Sequence, residues 1–313
     1  MKEDQTIKQS KFDDEIDLRE IFKVLLRGKW IVISFTAFIS IVVVIYSLSL
    51  PNIYKSEALL FPVEASDGIS SSLRGYSSLA GLAGINLPSG TGKGNSTKAL
   101  QKIVSLSFFE NNILNNIYLP DLMAVKAWDV KTNIITFDEN IYNPTTKSWV
   151  RNYSHPRKQI PSAQESFKVF TKKHLSLKED KQSGFIKLSI KHQSPHIAKQ
   201  WLELLVNEIN NFFRQKDKSE SEKSVSFLNM QISKTGLSEL KEVLAQLMQE
   251  EIKKLTLIEA KEFYVFDYID PPAIMEIKSE PKRSFICIVG ALLGGLLGIL
   301  YVLIRHYIFN EKT

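Results

Sequence analysis

Two long uncharged segments constrain this chain more than any other feature of its sequence. Residues 30–50 and 284–304 each form a run of 21 residues without a charged side chain. As a helix rising about 1.5 Å per residue, each run would extend roughly 32 Å, which is close to the thickness of the hydrocarbon core of a bilayer. We therefore predict two transmembrane helices, which excludes a purely soluble enzyme.

Basic residues beside these runs predict the orientation of the chain. Lys23, Arg27 and Lys29 precede the first run, and Arg305 directly follows the second. Because short basic flanks stay in the cytoplasm, we expect both termini there and the intervening loop on the outer face, which is the periplasm of a Gram-negative bacterium. The expected order is a cytoplasmic tail at 1–29, a span at 30–50, a periplasmic domain at 51–283, a span at 284–304 and a cytoplasmic tail at 305–313.

Composition and motifs give no support for catalysis, a metal site or a cofactor. The only cysteine, Cys287, lies in the second run, and the net charge of +6 is scattered over 313 residues, which makes nucleic acid a poor partner. His192 and His196 have the spacing of a helical metal pair. Since Pro195 lies between them and marks a helix start, we interpret both as exposed loop residues. We expect no enzymatic activity and no cofactor.

The outer domain combines strand and helix patterns. Residues 54–61, 134–137, 185–190 and 263–269 are short stretches, apolar or alternating, that favour strands. The first and last of these each lie beside a predicted span. We therefore expect them to share a membrane-proximal mixed sheet, from which helices project, in a fold of the α+β class.

One stretch, at about 195–257, is predicted to form a long extended helix with an apolar stripe in heptad spacing. Gly236 is the one weak point for its continuity. A helix this long needs neighbours for its stripe, either earlier helices of the same chain or identical helices of other copies. We name seven residues of the stripe the leucine seam: Leu202, Leu205, Ile209, Leu237, Leu240, Leu244 and Leu247.

The second uncharged run carries a glycine pattern that predicts close helix packing. Gly290, Gly294 and Gly298 recur at every fourth position. Small residues on one face of a membrane helix let another helix approach closely. The partner could be the first run of the same chain, a second copy or another membrane protein.

A proline-containing segment joins the outer domain to the second run. Pro272 lies at its start, and Pro281, Lys282 and Arg283 lie at its end. Prolines fix φ and prevent a strand or helix from continuing smoothly into the span. Two interpretations stay open. The segment is either a stiff linker with a basic anchor, or an element that couples domain and membrane, in which Lys282 and Arg283 contact lipid phosphates.

Together these features resemble the Wzz-type chain length determinants, which are polysaccharide co-polymerases of the Gram-negative inner membrane. The family has a signature of two prolines, a Ser-Pro-Lys triplet and a glycine further on. Its counterparts here are Pro272, Pro281, Lys282 and Gly294, with Met275 in place of the second proline and Glu280 in place of the serine. The segment Ile16–Trp30, which contains Asp17-Leu18-Arg19, also looks like the start of the family.

The resemblance implies a non-enzymatic regulator that forms a homo-oligomeric ring and sets the modal length of O-antigen or a related surface glycan. The implied partners are further copies of the chain, a Wzy-type polymerase, the undecaprenyl-diphosphate-linked glycan and membrane lipids. In such a ring the leucine seam would pair between copies, and the glycine face would contact the polymerase or a neighbouring span. Nine residues follow Ile304, too few for the tyrosine kinase domain of larger relatives.

The main alternative is a co-polymerase or adaptor for capsule or exopolysaccharide export, or for a separate tyrosine kinase. A sensor would need a cytoplasmic signalling module, and an outer-face hydrolase would need a convergent acid/base set. Neither feature is evident in the sequence.

Overall fold

The computed structural model describes residues 18–63 and 93–309, so most of the predicted cytoplasmic tails lies outside the described residues. The chain divides into two compact units, one containing both uncharged runs and the other spanning Asn52–Ser279. The α-helices are α1 (Leu18–Arg27), α2 (Lys29–Ser49), α3 (Lys93–Ile103), α4 (Leu106–Phe108), α5 (Leu119–Met123), α6 (Ala163–Val169), α7 (Pro195–Lys234), α8 (Ser238–Ala260) and α9 (Arg283–Phe309). The strands are β1 (Tyr54–Pro62), β2 (Val125–Asp129), β3 (Ile134–Phe137), β4 (Tyr142–Asn143), β5 (Ser148–Trp149), β6 (Leu175–Glu179), β7 (Ile186–His192) and β8 (Phe266–Asp270).

The first unit contains the two helices that are long and apolar enough to cross a membrane, α2 and α9. The first matches its predicted run to within one residue at each end, and the second continues to Phe309. Their large apolar side chains point largely outward: Phe38 is 68% exposed and Leu292 is 69% exposed. An apolar surface of this kind needs lipid or another apolar partner, which fits a membrane span and not the core helix of a soluble protein.

The second unit is built on a four-stranded sheet in the order β6-β7-β1-β8. Along β1, alternate side chains from Tyr54 to Leu60 are buried, as expected for a strand with one face on a core. The predicted strands at 54–61, 134–137 and 185–190 are confirmed as β1, β3 and β7, and the strand predicted at 263–269 is confirmed from Phe266 onward, as β8.

The prediction of a mixed sheet is wrong, because all three pairings in this sheet are antiparallel. A short turn joins β6 to β7, which fixes their antiparallel pairing. The central strand β1 then runs opposite to both β7 and β8. The last two strands are parallel to each other but never adjacent, since β1 lies between them.

The core of this unit lies between the sheet and the first half of α7. Leu202, Leu205 and Ile209 of the leucine seam are fully buried there, with Phe108 and Phe266. Their partners are therefore elements of the same chain. The expectation that these three residues pair between copies is wrong, because no part of their surface is available to a second molecule.

The single long helix predicted at 195–257 is instead a pair of antiparallel helices. The chain turns between α7 and α8 at residues 235–237, at the weak point that Gly236 marks. The two arms meet along their length: Lys218 Nζ lies 2.7 Å from Glu259 Oε1, and Leu228 packs with Leu244 and Leu247. Heptad spacing specifies an apolar stripe but not its partner, and here each arm covers the stripe of the other.

The outer part of the leucine seam is buried unevenly. Leu244 and Leu247 lie in the small cluster between the arms, Leu240 packs against that cluster, and Leu237 at the turn is 66% exposed. We call α7 and α8 together the helical hairpin.

Candidate functional site: the glycine-packed helix pair and the proline segment

The three glycines of α9 face α2 of the same chain. A Cβ placed at Gly290 would lie 2.7 Å from both methyl carbons of Val43. At Gly298 it would lie 3.0 Å from the Cα atom of Val32. Contacts this short leave no room for a side chain, so the glycines allow the two backbones to approach. Of the three partners that the sequence left open, the structure provides the first run of the same chain.

Two further contacts of this pair were not identified from the sequence. Gly28, directly before α2, would place a Cβ 2.5 Å from a methyl carbon of Val302. The rings of Phe35 and Tyr301 stack at 5.5 Å between centroids. A glycine just before an apolar run was the signal for the first contact, but its partner is far away in sequence.

The proline segment is fixed to the beginning of β1. The hydroxyl of Ser56 donates to the carbonyl of Ala273 over 2.9 Å, and the amide of Ser279 donates to the carbonyl of Ile53 over 2.8 Å. Pro272 is buried beside the first of these contacts. The part of the segment up to Ser279 is therefore held along β1 at both ends and is not a free linker.

The basic end of the segment leads into α9. Pro281 follows a cis peptide bond, Lys282 is exposed, and Arg283 is the first residue of the helix. Met275, which stands where the family signature has its second proline, is 42% exposed. Contact of Lys282 and Arg283 with lipid phosphates stays a prediction.

Two buried histidines lie at the junction between β7 and α7. His192 is 2% exposed, so its interpretation as an exposed loop residue is wrong, whereas His196 is exposed. The Nδ1 atom of His192 accepts the amide of Ser194 over 3.0 Å, which places the proton on Nε2, 3.0 Å from the carbonyl oxygen of Asp121. His174 lies beside it, with ring centroids 5.7 Å apart.

Burial sets the protonation of this cluster. It lowers the pKa of His174 to about 4, with a further contribution from the neighbouring His192, and it also lowers the pKa of His192. Burial raises the pKa of the Asp121 carboxyl to about 6. Both histidines are therefore neutral in the folded protein near neutral pH. Among residues 18–63 and 93–309, no three metal-ligating side chains come together.

A buried asparagine ties the helical hairpin to the sheet. Asn210 is 4% exposed, and its Oδ1 atom accepts the amides of Val265 and Phe266 over 2.7 and 3.0 Å. Its Nδ2 atom donates to the carbonyl of Phe266 over 2.9 Å. These bonds fix the entry to β8 against α7. Sequence reasoning missed this residue, although an amide directly after Ile209 in an apolar stripe was a visible signal.

Comparison with known proteins adds a sequence match and two structural likenesses. Residues 14–105 match the family model described as "Chain length determinant protein", Wzz, which is under a third of the chain. A full-length bacterial polysaccharide co-polymerase is 14% identical with a TM-score of 0.41, over 94% of this chain and 99% of that one. A fragment of WzzB, a polysaccharide co-polymerase from Salmonella Typhimurium, is 10% identical with a TM-score of 0.31, over 73% of this chain and 100% of the fragment.

No curated protein matches the chain significantly in sequence. Because both TM-scores are below 0.5, the assignment rests on the family match, which includes α2 and β1. That match includes Ile16–Trp30, one part of the resemblance, whereas the proline signature lies outside it and stays a prediction. The resemblance is thereby confirmed over residues 14–105, where this chain is similar to the Wzz chain length determinant proteins.

Proposed function

We propose that this protein regulates the modal chain length of O-antigen or a related lipid-linked surface polysaccharide, as a non-enzymatic co-polymerase acting with a Wzy-type polymerase. The observation that carries the proposal is the family match at residues 14–105. The proposed location is the bacterial inner membrane, with both termini in the cytoplasm and residues 51–283 in the periplasm. The basic residues that precede the first uncharged run, and Arg305 directly after the second, support this orientation.

In this account α2 and α9 act as one membrane element. The glycine contacts bring their backbones together, so movement of one helix displaces the other. The proline segment leads from the sheet into α9 and would transmit changes in the periplasmic domain to the helix pair. Conversely, the polymerase would sense the domain through this pair.

The proposed homo-oligomer needs a contact surface other than the buried half of the leucine seam. The helical hairpin exposes large apolar side chains near its turn: Phe227, Met230 and Leu237 are 55%, 49% and 66% exposed. Apolar residues clustered on a surface favour a protein partner. We assign the contact between copies to this end of the hairpin.

Deletion of the gene in its host, followed by silver-stained gel analysis of the surface polysaccharide, tests the function. We expect a clustered ladder to become random and biased to short chains, and to recover on complementation. An unchanged ladder with intact surface glycan would contradict the O-antigen assignment. Loss of capsule or exopolysaccharide export instead would assign the protein to that process.

A further inference from the structure

A cleft with a volume of about 400 Å³ opens between the base of α7 and the segment that leads into β8. It belongs entirely to the second unit and lies beside the buried Asn210, which contributes to its wall. The other lining residues are two carboxylates, two amides and two aromatic rings: Glu203, Glu262, Asn207, Asn211, Phe263 and Tyr268. This combination is unlike an apolar lipid or peptide groove, and it belongs neither to the helix pair nor to the proline segment.

The polar wall is a row of three side chains on one face of α7. Glu203, Asn207 and Asn211 are separated by four residues each, so they lie on successive turns, roughly 6 Å apart. The two asparagine side chains are exposed, and among the described residues neither makes a hydrogen bond. Each amide therefore offers two donor hydrogens and an acceptor oxygen to a ligand.

The opposite wall is aromatic and held in place. Phe263 and Tyr268 meet edge to face, with their ring centroids 5.6 Å apart and their planes at 85°. The bonds from Asn210 to residues 264–266 fix the backbone between the two rings. Burial, with a smaller contribution from the Glu203 charge, raises the pKa of the Tyr268 hydroxyl to about 12, so the hydroxyl stays protonated and can donate. The cleft is therefore pre-organised on this side.

We propose that this cleft binds a segment of the growing glycan, composed of neutral or amino sugars. A sugar presents hydroxyl groups around its edge and apolar C–H groups on its ring faces. The amides of Asn207 and Asn211 provide hydrogen-bonding groups for the hydroxyls at the edge of the sugar. The aromatic wall provides an apolar surface for the face of the sugar ring. Glu203 is paired with Lys199, whose Nζ lies 3.3 Å from its Oε1. The exposed carboxylate of Glu262 would repel a polyanionic chain, which is why the proposal excludes acidic sugars at this position. The inference rests on the proposed function, since it names where the chain would contact the polysaccharide.

Titration of the full-length protein in nanodiscs tests the proposal. The probe is the host polysaccharide released from its lipid by mild acid. The double variant Asn207→Ala/Asn211→Ala removes both exposed amides without touching the core, and we expect it to bind at least about tenfold more weakly. The matched control is Asn229→Ala, an exposed amide of the same helix that lies 22 residues from Asn207, or roughly 33 Å along the axis. This control should bind like the wild type.

Each outcome bears on the cleft. Binding that is lost in the double variant and kept in the control supports it. Equal binding by the double variant, or no binding by the wild-type protein, overturns it. The proposed function is decided separately by the gene deletion. If gene deletion disturbs the polysaccharide pattern on the gel while the double variant still binds the probe, the proposal of chain-length control stands and the cleft proposal is wrong. An unchanged polysaccharide pattern on the gel after gene deletion would contradict the proposed function itself.

Discussion

The molecule contains two antiparallel helix pairs that solve the same packing problem in opposite ways. In the pair formed by α2 and α9, the glycines of one helix contact the backbone and mainly β-branched side chains of the other. In the helical hairpin formed by α7 and α8, leucines fill the space between the arms and exposed ion pairs lie along the edges. The difference shows that the first pair is adapted to an apolar environment and the second to water.

The physical reason is the solvent. Lipid solvates leucine as well as another leucine does, so two membrane helices gain little from burying apolar side chains and instead need close backbone contact. In water the exposure of apolar surface is unfavourable, so burial of its leucines stabilises the hairpin. A glycine face therefore suits α9 and would not stabilise α8.

Substitution of a single glycine should have the largest effect, because it breaks the membrane pair outright. In Gly294→Leu the first added carbon already lies 3.1 Å from Cβ of Ile39 and 3.2 Å from Cα of Thr36. We expect normal insertion and abundance on an immunoblot but a disturbed polysaccharide ladder. Gly295→Leu is the matched control, since a Cβ there meets only Thr36 Oγ1, at 3.6 Å. An unchanged ladder in Gly294→Leu would remove the glycine face from the mechanism.

Loss of the hydrogen bonds of Asn210 should have the next largest effect, a decrease in the free energy of unfolding, and it concerns only the helical hairpin. Asn210→Ala leaves the buried amides of Val265 and Phe266 without an acceptor, which costs on the order of 3 kcal/mol of unfolding free energy. Urea unfolding of the full-length protein in detergent, followed by tryptophan fluorescence, measures this. The exposed neighbour in Asn211→Ala should change stability by less than about 0.5 kcal/mol. Equal stability of the two variants would show that hydrogen bonds do not hold the hairpin to the sheet.

A third comparison separates leucines from charges within the hairpin. Leu244→Ala removes a buried side chain from the cluster with Leu228 and Leu247, and we expect a loss of about 2 kcal/mol, at the lower end for core leucines because the cluster is small. Glu259→Gln breaks the exposed pair with Lys218 and should leave the urea midpoint unchanged, as surface ion pairs contribute little. A larger loss of unfolding free energy in Glu259→Gln than in Leu244→Ala would show that ion pairs, and not buried leucines, stabilise the hairpin.

Acid should produce the smallest effect, and only in the second unit. Between pH 6.5 and about 4 the unfolded chain takes up a proton that the buried His174 does not, so the unfolding free energy falls as pH falls. Asp121 acts in the opposite sense, because its raised pKa of about 6 lets the folded state bind a proton first. The opposed contributions leave a net loss on the order of 1 kcal/mol.

Urea midpoints at about pH 7.5 and about pH 4.5 measure this balance. The variant Asp121→Asn should show a larger loss on acidification than the wild type, and His174→Gln a smaller one. His196→Gln is the control, since that histidine is exposed. An Asp121→Asn protein that becomes more stable in acid would contradict the assignment of neutral, buried histidines.

Features that depend on local composition could be predicted from the sequence, whereas partners could not. The two apolar runs, the strands and the glycine face follow from hydropathy and spacing. The partner of the glycines does not, since a second copy would satisfy Gly290 and Gly298 as well as α2 does. The leucine seam has the same ambiguity: heptad spacing fits an intermolecular bundle and an intramolecular hairpin equally, and only the turn at Gly236 separates them.

The buried polar contacts could not be predicted either, because their partners are also far apart in the sequence. Asn210 bonds to residues 54 to 56 positions away, and His192 bonds to a carbonyl 71 positions away. Long-range hydrogen bonds leave no periodic pattern, so neither role could be read from spacing. The cleft between α7 and β8 required both walls to be placed before it could be identified.

Crosslinking of the membrane pair tests the central claim most directly. A Cβ at Gly290 would lie 2.9 Å from that of Val43, near enough for a disulfide after slight relaxation. The protein would carry Val43→Cys, Gly290→Cys and Cys287→Ser, with a protease site inserted at residues 235–237. After oxidation in membranes and cleavage, we predict that the two halves of one chain stay joined until reductant is added. Crosslinked dimers, or halves that separate without reductant, would show that the glycine face packs against something other than its own first helix.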